Sequence, residues 1–254
     1  MNPVKTLFFT DLDDTLFQSF PKCKAETESL IPTAYLSNGD PHGFAQPNQV
    51  AFLKHMASFA TVIPTTARNF DSYSRVRLPI DPPPYVILNH GGTILDQNGE
   101  LVSHWADQMN QVMLPWLDAL TALQSEITQW SEKDEVTTHA RVIGDFEQEF
   151  YVLVKDRQKN TELYLERLRT EWLDEWVAAL PGLSIHQNGN NLTVQPDCLD
   201  KAFAVNFLID QYREDGIDLL IIGAGDSKSD AGFLSLCDYA MIPKNAQLNP
   251  GRGY

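Results

Sequence analysis

Asp11-Leu12-Asp13-Asp14 sets three acids within four positions, at the end of the apolar run Thr6–Phe9. Asp11 and Asp13 stand two apart, so on extended backbone both carboxylates point to one side. Carboxylates that close repel unless a cation or a shared proton intervenes, and the pair asks for a metal. Taken alone, the same acids also read as a solvated turn capping the next helix. Further along, Thr65 and Thr66 close the run Ala60–Ile63, Lys201 opens a helical stretch, and Asp226 and Asp230 follow the run Asp218–Ile222. Hard oxygen ligands suit Mg²⁺. A Lys and a hydroxyl supply charge and hydrogen bonds to phosphoryl oxygens, so the set meets the needs of phosphoryl transfer.

Other chemistries fail on spacing. An EF-hand loop needs acids at positions 1, 3 and 5, Gly at 6 and Glu at 12, and neither acid cluster supplies them. Gly223-Ala224-Gly225 lacks the third Gly of a dinucleotide fingerprint and has Asp226 where pyrophosphate would approach. No P-loop and no HExxH spacing are present. A net charge of −15 argues against nucleic acid or an anionic membrane as partner. Three cysteines without C-x-x-C spacing argue against a disulfide framework or a zinc site. No segment reaches the ~18–20 apolar residues of a membrane span, and a cytoplasmic location is expected.

The elements that must position these groups follow from the apolar periodicity. Runs at 6–9, 60–63, 85–88 and 218–222, separated by helical stretches, predict an α/β core with a doubly wound parallel sheet. In such a sheet, ligands gather at the carboxyl ends of the strands, which brings Asp11/Asp13, Thr65/Thr66 and Asp226/Asp230 together. Residues 17–48 are loop-rich, with a short hairpin expected from Thr33–Leu36 and Gly43–Ala45. After residue 95 the rhythm changes. A long helical stripe runs from Trp105 to Trp130 with a break at Pro115, then strand-like runs come at 140–143 and 149–155. A second stripe carries Leu165, Leu168, Trp172, Trp176 and Leu180, and an Asn-Gly hairpin signal sits at Gln187–Asn191. This pattern predicts an α+β unit over 93–190 inserted into a core of 1–92 and 191–254.

With these residues in order, the chain resembles the haloacid-dehalogenase (HAD) superfamily of aspartyl-phosphate enzymes. The matching motifs are Asp11-Leu12-Asp13-Asp14-Thr15, a hydroxyl at Thr66, Lys201, and Gly225-Asp226 with Asp230. The insert is similar to that family's α+β cap. Thr66-Ala67-Arg68 and Asn89-His90-Gly91-Gly92 resemble the sugar-phosphatase branch, which usually has Gly where Asp14 and Ala67 stand. The resemblance implies a Rossmann-like core and Asp11 as nucleophile, with Asp13 as general acid and base. It implies Mg²⁺ held by Asp11, the Asp13 carbonyl and Asp226, with Asp230 direct or through water. Lys201 would neutralise charge, and Thr66 (or Thr65) would bond a phosphoryl oxygen. Arg68 reads either as a substrate contact or as an acid's partner, and Asn89 either as a substrate contact or as a turn residue. The expected activity is phosphatase action on a small phosphorylated metabolite, a sugar phosphate first. The rival readings are a phosphomutase and an inactive phospholigand-binding protein.

Overall fold

The computed structural model describes residues 4–24, 26–133, 138–156, 162–188, 191–214 and 216–249. In chain order the elements begin β1 (Lys5–Thr10), β2 (Gln18–Ser19), β3 (Ile31–Tyr35), β4 (Pro41–Ala45), α1 (Pro47–Ala57), β5 (Thr61–Pro64), α2 (Phe70–Tyr73), β6 (Tyr85–Leu88) and β7 (Thr93–Asp96). Next come α3 (Ser103–Met113), α4 (Leu117–Lys133), β8 (Thr138–Asp145), β9 (Gln148–Asp156), α5 (Glu162–Leu168), α6 (Asp174–Ala178), β10 (Leu183–Asn188) and β11 (Asn191–Pro196). The chain closes with α7 (Lys201–Glu214), β12 (Leu219–Ala224), α8 (Ala231–Leu234) and β13 (Tyr239–Met241). No described helix is long and apolar enough to cross a membrane.

Chain contacts divide the molecule into two units, Met1–Ala106 with Asp200–Tyr254, and Asp107–Leu199. The first unit holds a parallel sheet in the order β13-β12-β1-β5. β1 is central, and Leu7, Phe8 and Phe9 are fully buried without alternation, as both faces of an internal parallel strand require. Register fixes the site edge, because Thr10 lies beside Ala224 on one side and Pro64 on the other. Pro64 is tolerated because it ends its strand.

The run at 85–88 departs from the parallel expectation. β6 pairs antiparallel with β7, and it meets the main sheet through a single bridge between Thr65 and Ile87. Left-handed Asn89 and His90, at φ of 53° and 57°, reverse the chain between the two strands. The stretch 17–48 is ordered around a small antiparallel sheet, β2-β4-β3, in which the expected hairpin is present.

The second unit is an antiparallel sheet in the order β10-β11-β9-β8, with α4 placing Leu120, Leu123 and Ile127 in the interior. The chain thus has the parallel α/β core and inserted antiparallel unit expected for its class. The division falls later than the expected 93 and 190 at both ends. β7 folds back on β6, and β11 remains paired with both β10 and β9. Pro115 sits in a short 3₁₀ turn, Leu114–Trp116, that breaks α3 from α4. The second apolar stripe is re-registered. A wide turn at Arg169–Leu173 moves burial to Leu173 and Val177, leaving Leu180 36% exposed. The centre of the Gln187–Asn191 hairpin signal, Gly189-Asn190, lies outside the described residues.

The β8–β9 hairpin turns through Phe146 and Glu147, both left-handed at φ of 53° and 65°. A two-residue turn of that kind favours Asn-Gly, because side chains such as these are strained at positive φ. The double variant Phe146→Asn/Glu147→Gly is expected to stabilise the fold by about 1 kcal/mol. Urea unfolding should show a higher midpoint at unchanged slope.

Candidate active site

Asp11 follows β1 directly, and its backbone N–H donates to the Ala224 carbonyl at 2.8 Å, carrying the parallel ladder one step past the strand. Asp226 stands two residues beyond β12, so two carboxylates emerge at the same sheet edge. Asp230 closes a capping box, with its Oδ2 accepting from Asp226 N at 3.1 Å, Ser227 N at 2.9 Å and Ser227 Oγ at 2.9 Å. Gly225 makes room for it, since a Cβ there would lie 2.6 Å from Asp230 Cβ. The three carboxylates of Asp11, Asp226 and Asp230 are buried and offer oxygens within 4.8 Å of one another.

Lys201 reaches this cluster from the first residue of α7. Asp200 Oδ1 caps the helix through Ala202 N at 2.7 Å. Gly91, at φ of 102°, lets the β6–β7 turn approach that helix start, because a Cβ there would stand 2.5 Å from the Asp200 carbonyl oxygen. Lys201 Nζ donates to Asp11 Oδ1 and to Asp230 Oδ1, both at 2.7 Å, and is 3% exposed. Burial alone would push the Lys201 ammonium down, but Asp11 and Asp230 outweigh it and hold its pKa above the ordinary value. Burial also works against ionised Asp230, yet Lys201 and the Ser227 donors hold that carboxyl below the usual range. Asp11 is left with the opposite balance. Burial, then the Asp230 and Asp13 charges, raise it well above the usual range against the pull of Lys201.

Charge counting shows what the site lacks. With all three carboxylates ionised, one ammonium leaves two negative charges in a buried cluster. A divalent cation cancels that excess. The oxygens open to it are Asp11 Oδ2, which has only a long 3.4 Å contact from Thr15 Oγ1, and the Asp226 carboxylate, which no donor reaches among the described residues. Asp230 has both oxygens committed. The Asp11, Asp226 and Asp230 cluster is thus suited to a hard divalent cation, with the uncommitted oxygens on Asp11 and Asp226.

Thr65 and Thr66 are both buried, but their hydroxyls differ. Thr65 Oγ1 donates back to the Ile63 carbonyl at 3.2 Å, whereas Thr66 Oγ1 accepts from Arg68 N at 3.2 Å and keeps its own hydrogen to give. Thr66 is thus the better placed hydroxyl. Asp13 lies near enough for its charge to act on Asp11. The Asp13 side chain is 52% exposed and pairs with Arg68, Nε to Oδ2 at 2.7 Å and Nη2 to Oδ1 at 2.8 Å. Asn89 is fully buried, donates Nδ2 to Thr93 Oγ1 at 3.1 Å and bonds the Arg68 carbonyl through its backbone. That placement favours the turn role.

Asp14 joins the site without a role that its motif position assigns. It is left-handed at φ of 60°, pairs with Lys22 at 2.5 Å, and adds its charge to the surroundings of Asp226. The signal was present, since an Asp stands where a backbone of this kind favours Gly.

A profile of the sucrose-6F-phosphate phosphohydrolase family matches residues 4–249, nearly the whole chain. The chain belongs to this family. Its members are HAD-like proteins, and solved structures repeat the fold at low identity. The sucrose-phosphatase of Synechocystis sp. PCC6803, solved with sucrose and phosphate, is 16% identical with a TM-score of 0.50, over 97% of this chain and 85% of that one. A Thermoplasma acidophilum protein is 17% identical at a TM-score of 0.55, over 97% and 88%. A haloacid dehalogenase-like hydrolase from Bacteroides thetaiotaomicron is 12% identical at 0.50, over 97% and 90%. No curated protein matches the chain.

One pH effect follows from the acidic cluster of this family member. Burial, then the charges of Asp230 and Asp14, push the Asp226 carboxyl up to about 7 from 3.8. Between those values the folded chain holds a proton that the unfolded chain releases, so stability falls as pH rises through the window. Without metal, the Tm is expected to drop from pH 4 to 7 and then level off. Mg²⁺ should raise the Tm more at pH 8 than at pH 5, and calorimetric scans with and without EDTA check both slopes.

Proposed function

We propose that this protein is a Mg²⁺-dependent phosphomonoesterase that hydrolyses a sugar phosphate, or a similar small polar phosphomonoester, through an aspartyl-phosphate on Asp11. The observation that carries this reading is the buried Asp11–Lys201–Asp230 network beside an open Asp226 carboxylate. It holds one nucleophilic oxygen in place and leaves a negative excess suited to a divalent cation. The fold shared with a sucrose-phosphatase that holds sucrose and phosphate supports a sugar as leaving group.

The Asp11 carboxylate attacks phosphorus, and Lys201 keeps it oriented and balances its charge. Thr66 Oγ1 donates to an equatorial phosphoryl oxygen. Asp13 protonates the departing alkoxide, then takes a proton from the water that hydrolyses the acyl phosphate. Asp11 and Asp226 would hold the Mg²⁺, which would supply neutralisation of charge on the transferring group.

The test is turnover of a broad panel of phosphorylated sugars and other metabolites, followed by ³¹P NMR with Mg²⁺ or with EDTA. Metal-dependent release of inorganic phosphate supports the phosphatase. Interconversion of phosphate isomers without release would establish a mutase instead, and a silent panel with a folded, metal-bound chain would establish a binding protein.

A further inference from the structure

The Arg68 guanidinium is occupied by the very carboxylate assigned to acid–base work. Nε donates to Asp13 Oδ2 at 2.7 Å and Nη2 to Asp13 Oδ1 at 2.8 Å, a two-pronged pair. A carboxylate held in this way is ionised, so it has no proton to give a leaving group, and neither oxygen is free to take one up. The two partners are not equally fixed. Arg68 Nη1 is tied to the Ser72 carbonyl at 3.1 Å, and its guanidinium carbon lies 5.4 Å from the centre of the buried Phe17 ring. The Arg68 side chain is 17% exposed and that of Asp13 52%, so the acid is the partner free to leave.

Arg68 also stands where a phosphoryl group is expected. Its backbone N–H bonds Thr66 Oγ1, and the Asp11 charge acts on its guanidinium. Lys201 is already shared between Asp11 and Asp230, so Arg68 is the cation beside Thr66 that can be redirected. The planar fork that matches a carboxylate matches a phosphate equally well. We propose that Asp13 and the substrate's phosphoryl group exchange on Arg68, the incoming dianion taking the guanidinium and releasing Asp13, which then takes up a proton from solvent and carries it to the leaving oxygen. The exchange rests on the phosphatase reading above. It makes Arg68 a substrate-binding residue, and it ties the availability of the acid to the presence of substrate.

The test is calorimetric binding of inorganic phosphate, with saturating Mg²⁺, to the full chain and to Asp13→Asn, Arg68→Met and the double variant. Losing the competitor should tighten phosphate roughly 3–10-fold, and losing the fork should weaken it roughly tenfold or more. The gain from Asp13→Asn should vanish in the Arg68→Met background. Should Arg68→Met not fold, Arg68→Lys keeps the charge without the fork and is expected to lose most of the affinity and the coupling. An Asp13→Asn gain that persists undiminished without Arg68 would mean simple charge repulsion and overturn the exchange. So would unchanged affinity in Arg68→Met. Wild-type protein that binds no phosphate at all would instead overturn the phosphatase reading, and the exchange with it.

Discussion

Asp11→Asn is expected to lower phosphate release by at least about 10³-fold while the folded protein becomes more resistant to heat. The activity loss follows from chemistry, since a carboxamide oxygen is too weak a nucleophile to form the acyl phosphate. The stability gain follows from electrostatics. Burial and neighbouring negative charges raise the Asp11 carboxyl well above its ordinary range, so at neutral pH its ionised form opposes folding. A neutral amide of the same shape removes that penalty and can still accept from Lys201. Thermal scans at pH 8 without metal should show a higher Tm for the variant, and Mg²⁺ should stabilise it less than it stabilises wild type. An active protein evolved for phosphoryl transfer would thus keep a destabilising group where the reaction needs it.

Lys201→Met is the second large effect, and it acts on the fold as much as on turnover. Lys201 is the shared donor to Asp11 and Asp230, at 2.7 Å each and nearly inaccessible to water. Removing it leaves two buried carboxylates without their counter-charge, a loss of about 3–5 kcal/mol. The pH dependence has a definite sign. Asp11 and Asp230 in the variant take up protons more readily when folded than when unfolded, so its stability falls as pH rises from the carboxylate range. In wild type the Lys201 pKa lies above its ordinary 10.5, so the Lys201 contribution is fully present at any pH below that value. The difference between the two proteins should therefore be larger at pH 8 than at pH 5 in denaturant titrations. Turnover should be lost at either pH.

Much of this site is legible in the chain because its groups sit immediately after buried strands. Leu7–Phe9 and Leu219–Ile222 are short apolar runs, and once the parallel sheet is granted, Asp11 and Asp226 have one edge to share. Lys201 is readable as a helix start because Asp200 precedes it as a cap. Other features are invisible to local pattern. Tyr85–Leu88 has the composition of a parallel strand. It instead pairs antiparallel with Thr93–Asp96 through a turn made by Asn89 and His90 that carries no Asn-Gly signal. The wide turn at Arg169–Leu173 shifts a helical stripe by inserting length that periodicity assumes away. The Asp13–Arg68 pair joins residues 55 apart, and although Arg68 reads as a candidate partner for an acid, local pattern does not say which acid. Asp14 shows a third limit, where a residue type unusual for its backbone marked a site group whose partner, Lys22, lies in the segment hardest to read.

The central claim is that phosphorus becomes covalently attached to Asp11 and that Asp13 is needed to remove it. The most direct measurement is the pre-steady-state reaction of Asp13→Asn with p-nitrophenyl phosphate and Mg²⁺, followed by acid quench and peptide mass analysis. Nitrophenolate departs without help from an acid, so the first step survives, whereas hydrolysis of the acyl phosphate loses its base. A burst of about one nitrophenolate per chain is expected, then a near stop, with the mass of one phosphoryl group on the peptide containing Asp11. Steady turnover without a burst, or a phosphoryl group found on any other residue, would contradict it.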